Sequence, residues 1–288
     1  MSTKQIMKIS KKTYVIKMGG ELINNPGILN ALCKEIARLK QSDKNIVIVH
    51  GGGQQTSEME IKLGKTSHIV DGRRVTDENA IDVIKMVIAG KINIEIINSL
   101  QCNGISSVGL TGVDDRILNV RRRPPQKIIH KKTKTHEVID YGFVGDILSV
   151  NPALILTLIE NNFLPVIAPL AADNQGHIYN VNADTVASAI ALSVNATQWI
   201  ILTNIEGVYD QKGSTIPHLT CTKARTLIEE GIISNGMIPK MESIIVALQS
   251  GIKSVHVING LNPENLKNIF LKPSSGTLIT KEDTHHDL

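Results

Sequence analysis

The sequence predicts an α/β fold in which a mainly parallel sheet is covered by helices on both faces. Short runs rich in Val, Ile and Leu alternate along the chain with longer segments of helical periodicity. The short runs are continuously apolar, which is typical of strands buried on both faces. Alternation of such strands with helices indicates parallel pairing through crossover connections.

Each strand is predicted from a short run of β-branched and other apolar residues bounded by turn-forming residues. The predicted strands are 13–18, 45–50, 105–110, 163–170, 198–204 and 254–259. The predicted helices are 26–41, 54–63, 77–101, 152–161, 183–194, 222–229 and 237–250. Thr76 or Asp77 is suited to cap the longest of these helices at its amino end.

The segment 117–150 breaks the alternation with short strand-like pieces joined by Pro-Pro and by a Lys-Thr-Lys stretch. It predicts antiparallel hairpins on one edge of the sheet. The stretch 194–197 separates a helix from the next strand, so we expect two lobes there. The N-terminal lobe would be 1–195, and the C-terminal lobe would be 196–288.

Composition excludes several classes of protein. The 288 residues are 42% hydrophobic and carry a formal net charge of +4, which favours anionic small molecules at least as well as nucleic acid. The three cysteines are far apart and show no metal-binding or disulfide spacing. The sequence contains neither a signal peptide nor an apolar run of about 20 residues. We therefore expect a soluble, cytoplasmic protein that binds neither membrane nor nucleic acid.

Two early strands end in glycine turns, at 17–20 (Lys-Met-Gly-Gly) and 50–53 (His-Gly-Gly-Gly). Ligands of doubly wound sheets bind at the carboxyl ends of strands. Glycines there let backbone N–H groups approach an anion, and the following helix adds its positive end. Lys17 would add an ammonium group. The alternative is that the glycines only make tight turns and that Lys17 reaches solvent.

Two other glycine motifs resemble nucleotide-binding signatures. Residues 63–67 contain the Gly-Lys-Thr of a P-loop, but Met59 occupies the position of its first glycine and the motif ends a helix. Gly64 is better explained as the end of that helix. Residues 51–56 resemble a dinucleotide fingerprint, which leaves an oxidoreductase as an alternative function.

Further polar residues occur beside predicted helix starts. Arg73 and Arg74 precede the helix at 77, and such an arginine can clamp a carboxylate bidentately; the alternative is a solvated arginine. Asn180 ends a short strand ahead of a helix that Asn182 would cap.

Two charged residues stand in the first turns of helices. Asp184 lies in the helix that Asn182 caps, where a structural cap is the alternative explanation. Gly236 precedes a helix with Lys240 in its first turn. A cation there is unfavourable unless an anion is also present, so Lys240 is a candidate for anion binding.

In this order the segments resemble the amino-acid kinase superfamily and, within it, the acetylglutamate kinases. The matching pieces are VIKMGG, VIVHGGG, GRRVTD, VGLTGVD, YGFVGDI, NNFLPVIAP, YNVNAD, TNIEGVYD, GMIPKM and SGTLI, within residues 14–279. The resemblance implies a three-layer sandwich around a mostly parallel sheet of about eight strands. It implies ATP-dependent phosphorylation of the side-chain carboxylate of N-acetyl-L-glutamate, a step of arginine biosynthesis.

The resemblance also implies roles for residues at matching positions. The implied catalytic residues are Lys17, Lys240, Asp184, Gly20 and Gly53, and the implied substrate-binding residues are Gly52, Gly53, Arg74 and Asn180. The implied nucleotide-binding residues are Lys17, Gly19, Thr203, Asn204, Gly207, Tyr209, Gly236 and Lys240. The N-terminal lobe would bind the acyl amino acid and dimerise, and the C-terminal lobe would bind ATP. Mg²⁺ would be held mainly by phosphate and water, with no protein metal ligands.

The chain departs from the family pattern at several positions. Glu21 stands where the family commonly has a small or neutral residue. Asn204 stands where the family usually has Asp. The tripeptide 259–261 is Asn-Gly-Leu where arginine-inhibited members have Asp-Gly-Arg. We therefore expect a homodimer without arginine inhibition.

Three alternative functions remain open from the sequence. An acetylaminoadipate kinase would use a substrate one methylene longer, and the basic segment 120–136 could dock an acidic carrier, although a solvated hairpin explains it as well. A non-catalytic amino-acid or nucleotide sensor on the same fold would not need Lys17, Asp184 and Lys240. A dinucleotide oxidoreductase would leave both lysines unexplained.

Overall fold

The computed structural model describes residues 11–70, 72–129, 136–234, 237–271 and 275–282. Within them, the strands are β1 Thr13–Met18, β2 Asn45–His50, β3 Ile69–Val70, β4 Arg73–Arg74, β5 Ser107–Thr111, β6 Leu118–Arg122, β7 Gln126–Ile129, β8 His136–Ile139, β9 Gly145–Val150, β10 Leu164–Ala168, β11 Leu170–Ala172, β12 Ile178–Asn180, β13 Gln198–Thr203, β14 His218–Thr220, β15 Ser254–Asn259 and β16 Thr277–Thr280. The α-helices are α1 Gly20–Ile23, α2 Pro26–Gln41, α3 Gly53–Lys62, α4 Glu78–Ile84, α5 Asn93–Cys102, α6 Ala153–Glu160, α7 Ala183–Ser193, α8 Cys221–Glu229, α9 Met237–Gln249 and α10 Glu264–Leu271.

An eight-stranded sheet runs through the molecule in the order β14-β16-β15-β13-β1-β2-β10-β5. The six strands from β15 to β5 pair in parallel, whereas β16 is antiparallel to β15 and parallel to β14. The predicted α/β class with a mainly parallel sheet is confirmed. Strand β13, the first strand after residue 195, pairs directly with β1, so both predicted lobes contribute to one sheet.

The predicted antiparallel pairs are present, but their predicted place on an edge of the large sheet is wrong, because they form small sheets of their own. Strands β6 and β9 pair antiparallel within the sheet β12-β11-β6-β9, and β7 pairs with β8. Isolated bridges join Val144 to Asn180 and Thr76 to Gly142. These bridges attach the hairpin region to β12 and to the start of α4. The hairpin region therefore lies next to both elements.

Side chains along each strand point alternately to either face of the large sheet. Both sets are apolar, so helices cover both faces. Val15 of β1 packs in one apolar cluster with Trp199 and with residues of α7 and α9. Ile16 packs in a second cluster with residues of α2 and α5. The structure thus has three layers. No helix in the described ranges is both long enough and apolar enough to cross a membrane.

The central strands end at the same level, which brings the predicted turns together. Met18 of β1 pairs with His50 of β2 on one side and with Leu202 of β13 on the other. The turns that follow β1 and β2 are therefore neighbours at the carboxyl edge of the sheet. The segment after β13 lies beside them.

The predicted long helix is continuous from Glu78 to Cys102, but its middle, Lys85–Ile92, is π-helical. This stretch packs on the second glycine turn, where a Cβ added at Gly52 would lie 2.5 Å from Cδ1 of Ile92. A larger residue at 52 would therefore force the side chains of Ile88 and Ile92 to move. π-helical turns inside α-helices occur frequently at functional sites.

Candidate active site

Asp184 joins two lysines that are distant in the sequence. Its Oδ1 lies 3.2 Å from Nζ of Lys17, at the carboxyl end of β1. Its Oδ2 accepts a hydrogen bond of 2.8 Å from Nζ of Lys240, in the first turn of α9. The three side chains are 12–14% exposed. Asn182 caps α7 as predicted, accepting bonds from the N–H groups of Asp184 and Thr185.

Burial and charge act in opposite directions on this cluster. Burial raises the pKa of Asp184, but Lys17 and Lys240 outweigh it and hold that pKa at about 2. Burial, followed by repulsion from Lys17, lowers the pKa of Lys240, while attraction to Asp184 and Glu21 partly offsets the decrease. The carboxylate is therefore ionised at neutral pH and shares its charge between two cations.

The two glycine turns pack directly against each other. A Cβ at Gly20 would lie 2.7 Å from Oε1 of Gln55 and 3.3 Å from Cα of Gly52. Nε2 of Gln55 donates to the carbonyl of Gly20 over 2.7 Å. In contrast, a Cβ at Gly53 would meet no protein atom within 4 Å. Glycine at 20 and 52 is explained by packing, whereas the space at Gly53 is open to a ligand.

The amide groups of the turns differ in their availability. The Gly19 N–H donates to the carbonyl of Leu202 over 3.2 Å, so this amide extends the sheet rather than facing a ligand. Gly52 is the N-cap of α3 and Gly53 its first residue, and no side chain caps this helix. The first N–H groups of a helix have no intrahelical acceptor. The start of α3 is therefore able to bind an anion.

A cavity of about 350 Å³ adjoins these groups. It lies between the second glycine turn, the β3–β4 hairpin, the end of β12 and the start of α7. Its lining residues are Gly51, Gly52, Gly53, Gln54, Thr56, Ser57, Ile69, Gly72, Arg73, Arg74, Ile84, Ile88, Arg123, Val144, Pro169, Asn180, Val181, Asn182 and Ala183. Ala183 adjoins Asp184 in the chain, so the cavity reaches the neighbourhood of the lysine pair.

Arg74 lies in the cavity wall with both terminal nitrogens bonded to protein. Its Nη1 donates to the buried carboxylate of Glu60 and, over 2.8 Å, to Oγ of Ser67. Its Nη2 donates over 2.9 Å to the carbonyl of Gly53 and over 2.6 Å to Oγ of Ser57. A bidentate clamp by these nitrogens would require displacement of Glu60. The clamp at Arg74 stays a prediction.

Two other arginines line the same cavity. Nε and Nη2 of Arg123 both contact Oδ1 of Asp146, over 2.8 Å and 2.7 Å. Arg73 is exposed and forms no ion pair with any residue that the structure describes. Asn180, at the end of β12, lines the cavity as well.

His50 fixes the start of the second glycine turn. Its Nδ1 lies 2.9 Å from the carbonyl of Gly51, and its Nε2 lies 3.0 Å from Nδ2 of Asn93. Asn93 follows the π-helical stretch and also donates to the carbonyl of Val166 over 3.1 Å. Burial lowers the pKa of His50 to about 4. A neutral ring that donates through Nδ1 and accepts through Nε2 satisfies both contacts.

The segment predicted to bind nucleotide follows β13 at the same edge of the sheet. A Cβ at Gly207 would lie 2.5 Å from Oγ1 of Thr277, so glycine there is needed to pack on β16. Thr203 is buried and contacts Asn204, and the hydroxyl of Tyr209 accepts a bond from the Glu206 N–H. This segment contributes nothing to the cavity lining among the described residues.

Gly236 was predicted to bind nucleotide, but it lies outside the described residues. Glu21 is placed close to the first turn, because a Cβ at Gly19 would lie 2.3 Å from its Oε1. Its negative charge also offsets part of the decrease in the pKa of Lys240. Glu21 is therefore close to the predicted phosphate site.

Sequence reasoning missed Glu60, Gln55, Asn93 and Arg123. Gln55 and Asn93 lie within predicted helices, where an amide gives no signal of a long-range contact. A carboxylate at 60 in a weakly apolar helix gives no sign that it is buried. The separation of 56 residues between Asp184 and Lys240 also made their contact inaccessible to spacing arguments.

The arrangement can hold and neutralise a polyanion. Two ammonium groups, held by one carboxylate, stand beside uncapped N–H groups and a cavity with arginine in its wall. Such a set stabilises negative charge as it develops on a phosphoryl group during transfer. It contains no nucleophile of its own that the described geometry activates.

Comparison with known proteins bears on this chemistry. The family model described as amino acid kinase family matches residues 12–259. A curated acetylglutamate kinase from Sinorhizobium fredii is 39% identical over 275 residues, which are 95% of this chain and 93% of that protein. One from Brucella abortus has the same identity and coverage.

Solved structures share the fold. An N-acetylglutamate synthase from Neisseria gonorrhoeae, complexed with coenzyme A and N-acetyl-glutamate, superposes with a TM-score of 0.80 at 23% identity over 95% of this chain. This chain covers 60% of that synthase chain. The protein smu.665 from Streptococcus mutans superposes with a TM-score of 0.75 at 26% identity over 94% of this chain and 99% of its own.

Proposed function

The chain belongs to the amino acid kinase family, and we propose that it transfers the γ-phosphoryl group of ATP to the side-chain carboxylate of N-acetyl-L-glutamate. The observation that carries the proposal is the Lys17–Asp184–Lys240 cluster beside a cavity walled by glycine amides and arginines. The product is an acyl phosphate, as amino-acid biosynthesis through an activated carboxylate requires.

The chemistry needs no general base. A carboxylate is ionised at neutral pH and already nucleophilic. The barrier comes from bringing two anions together and from charge on the oxygens of the transferring group. In our proposal Lys17 and Lys240 neutralise that charge, and Asp184 keeps the two ammonium groups in place. The N–H groups of Gly20, Gly52 and Gly53 bind phosphoryl oxygens.

The acceptor would occupy the cavity of about 350 Å³, with its reacting carboxylate toward Gly52 and Gly53 and its acetamido group toward Asn180. Pockets for small ligands fall in roughly this size range. Arg74 would contribute positive charge and hold the carbonyl of Gly53. The nucleotide would lie along the segment from Thr203 to Tyr209.

Mg²⁺ is expected to accompany ATP, neutralising the β- and γ-phosphates. Asp184 is committed to two lysines, and within the described ranges no group of three metal-ligating side chains occurs. This donor set fits an ion held chiefly by phosphate oxygens and water. Glu21 is a further carboxylate close to the first turn. Cytoplasmic location and a homodimer stay predictions.

Hydroxylamine trapping of the acyl phosphate tests the proposal. The wild type is incubated with MgATP and, separately, N-acetylglutamate, N-acetylaminoadipate and unacetylated glutamate. We expect hydroxamate with N-acetylglutamate, and a loss of about 10²–10³-fold in rate in Lys240→Ala. Lys223→Ala, which removes an exposed lysine of α8, is the matched control and should retain the wild-type rate.

The other outcomes are equally informative. Preference for the longer acid would assign the enzyme to acetylaminoadipate, since one methylene changes binding by only about 1–3 kcal/mol. No hydroxamate with any acid, despite ATP binding, would refute the kinase proposal and favour a sensor.

A further inference from the structure

The proposed reaction requires the two glycine turns to keep a fixed position relative to each other. If the proposed function holds, the first turn, 17–20, serves the nucleotide, and the second turn, 50–53, serves the acceptor. A displacement of about 1 Å between reacting groups can lower a rate by about 10²-fold. The contacts that join the two turns therefore bear directly on phosphoryl transfer.

The sheet joins the two turns only where they begin. Met18 of β1 pairs with His50 of β2, and the Gly51 N–H donates to the carbonyl of Met18 over 2.9 Å. Beyond this bond the two segments leave the ladder, one into α1 and the other into α3. The position of Gly20 relative to the second turn must therefore be set by contacts outside the sheet.

Gln55 makes such a contact from the third position of α3. Its Nε2 donates to the carbonyl of Gly20 over 2.7 Å, whereas the bond to the same carbonyl within α1, from the Asn24 N–H, measures 3.3 Å. A Cβ at Gly20 would lie 2.7 Å from Oε1 of Gln55, so glycine there lets the amide approach the backbone. The side chain of Gln55 thus joins the helix of the second turn to the backbone of the first.

Stability alone does not account for a glutamine at this position. Gln55 is 6% exposed, and its Oε1 accepts no hydrogen bond from any residue that the structure describes. A buried acceptor without a donor costs free energy, which offsets the gain from the bond made by Nε2. An apolar side chain of similar length would remove the bond and the unpaired oxygen together. The bond fixes a position more than it adds stability.

Gln55 also lies apart from the proposed substrate cavity. The described lining includes its neighbours Gln54 and Thr56 but not Gln55 itself. We propose that Gln55 is a positioning residue that holds the first glycine turn against the second, so that nucleotide and acceptor meet at the distance needed for transfer. It acts through the carbonyl of Gly20.

The first test separates kcat from KM. Gln55→Met keeps the length of the side chain and removes the donor, and Gln101→Met, at an exposed glutamine of α5, is the matched control. We expect kcat for acyl phosphate formation from N-acetylglutamate to fall about 10- to 100-fold in Gln55→Met. KM for N-acetylglutamate and for ATP should stay at the wild-type value, because only the alignment of the bound substrates changes. The midpoint of urea unfolding should also match the wild type.

A second variant gives a readout that a merely structural contact would not move. Gln55→Glu keeps the shape of the side chain, but the introduced carboxyl group donates only when it is protonated. Burial raises the pKa of a carboxyl group, so the protonated fraction grows as the pH falls from 8 to 6. The ratio of kcat in this variant to kcat in the wild type should therefore rise severalfold over that range. The same ratio for Gln101→Glu should stay constant.

Unchanged kcat in Gln55→Met would overturn the proposal. So would a rise in KM at constant kcat, an equal loss of kcat in Gln101→Met, or a constant kcat ratio for Gln55→Glu between pH 8 and 6. Failure of the proposed function is visible separately. If the wild type forms no acyl phosphate, the kinase proposal and the role of Gln55 in it are both refuted, whereas full kcat in Gln55→Met beside an active wild type refutes the role of Gln55 alone.

Discussion

At the scale of single residues, the Asp184 carboxylate is shared by two cations that come from opposite ends of the chain. Its position in the first turn of α7 is evident from the sequence, because Asn182 caps that helix. Its contact with Lys17 and Lys240 is implied only by the family resemblance, because the local sequence gives the same signal for a helix cap as for an ion pair. The useful signal in the sequence was Lys240 in the first turn of a helix, where a positive charge is unfavourable without an anion.

Asp184→Asn should destabilise the protein and slow phosphoryl transfer. It leaves Lys17 and Lys240 close together without a counter-charge, and breaking a buried ion pair costs about 3–5 kcal/mol. Urea unfolding should show this loss at pH 7. Sulfate should stabilise the variant more than the wild type, because an anion replaces the lost charge; equal stabilisation of both would contradict the account.

Gly52 and Gly53 should respond differently to the same substitution. Gly52→Ala places a methyl group against Ile88 and Ile92, so thermal stability should fall. Gly53→Ala meets no protein atom, so its melting temperature should match the wild type. Its rate of acyl phosphate formation should fall about 10²-fold, because the methyl group enters the ligand space. Full activity in Gly53→Ala would contradict the assignment of that space.

At the scale of elements, apolar runs and caps predicted most of what was found. The strands Thr13–Met18, Asn45–His50 and Ser254–Asn259 and the helix Pro26–Gln41 have the predicted bounds. The run predicted as one strand at 163–170 divides at Pro169, which has no N–H to donate. The short strands β14, at the edge of the sheet, and β16, next to it, were missed because three or four residues show no periodicity.

The π-helical stretch was equally invisible, since its residues are as apolar as those of an α-helix. Its effect is to bring Asn93 against His50 and Ile92 against Gly52. The element therefore aligns the second glycine turn with the sheet. If Lys85–Ile92 were α-helical instead of π-helical, these contacts would shift.

Asn93→Ala tests this alignment. It leaves Nε2 of His50 and the carbonyl of Val166 without their donor, and each orphaned group costs about 1–3 kcal/mol. We expect a loss of about 2–4 kcal/mol in the free energy of unfolding and a lower kcat. Asn98→Ala, an exposed position of the same helix, is the control. Equal stability of the two variants would show that the contact is dispensable.

At the scale of the whole molecule, one parallel sheet brings both predicted lobes to a single edge. The mainly parallel sheet could be predicted from the alternation of strands and helices. The folding of region 117–150 into separate small sheets could not be predicted in this way. Its bridges to β12 and to the start of α4 are long-range pairings that only tertiary structure defines. Those pairings position Arg123 and Asn180 in the cavity.

Two buried histidines should make the fold acid-sensitive. Burial lowers the pKa of both His50 and His256 to about 4, while an unfolded chain has a value near 6.5. The two neutral histidines contribute fully to the free energy of unfolding above pH 6.5. This contribution is lost as the pH falls toward 4, because only the unfolded state gains the protons. The loss is about 3 kcal/mol for each histidine. Asp184 adds a further loss from its unfolded value near 3.9 down to about 2.

Urea unfolding between pH 7.5 and 4.5 measures this dependence. In His256→Gln the amide can still donate to the carbonyl of Ser275, so the fold should be retained. The decrease in stability on acidification should then be about half that of the wild type. An identical decrease in both proteins would contradict the assignment of a neutral, buried His256.

In the proposed reaction the acceptor carboxylate itself attacks the γ-phosphorus of ATP. N-acetylglutamate labelled with ¹⁸O in its side-chain carboxylate is phosphorylated, the product is cleaved with hydroxylamine, and the released phosphate is analysed by mass spectrometry. Hydroxylamine attacks the acyl carbon, so the bridging oxygen leaves with phosphorus. We expect one ¹⁸O in each phosphate released from the acyl phosphate. Phosphate without label would mean that water, not the carboxylate, accepts the phosphoryl group.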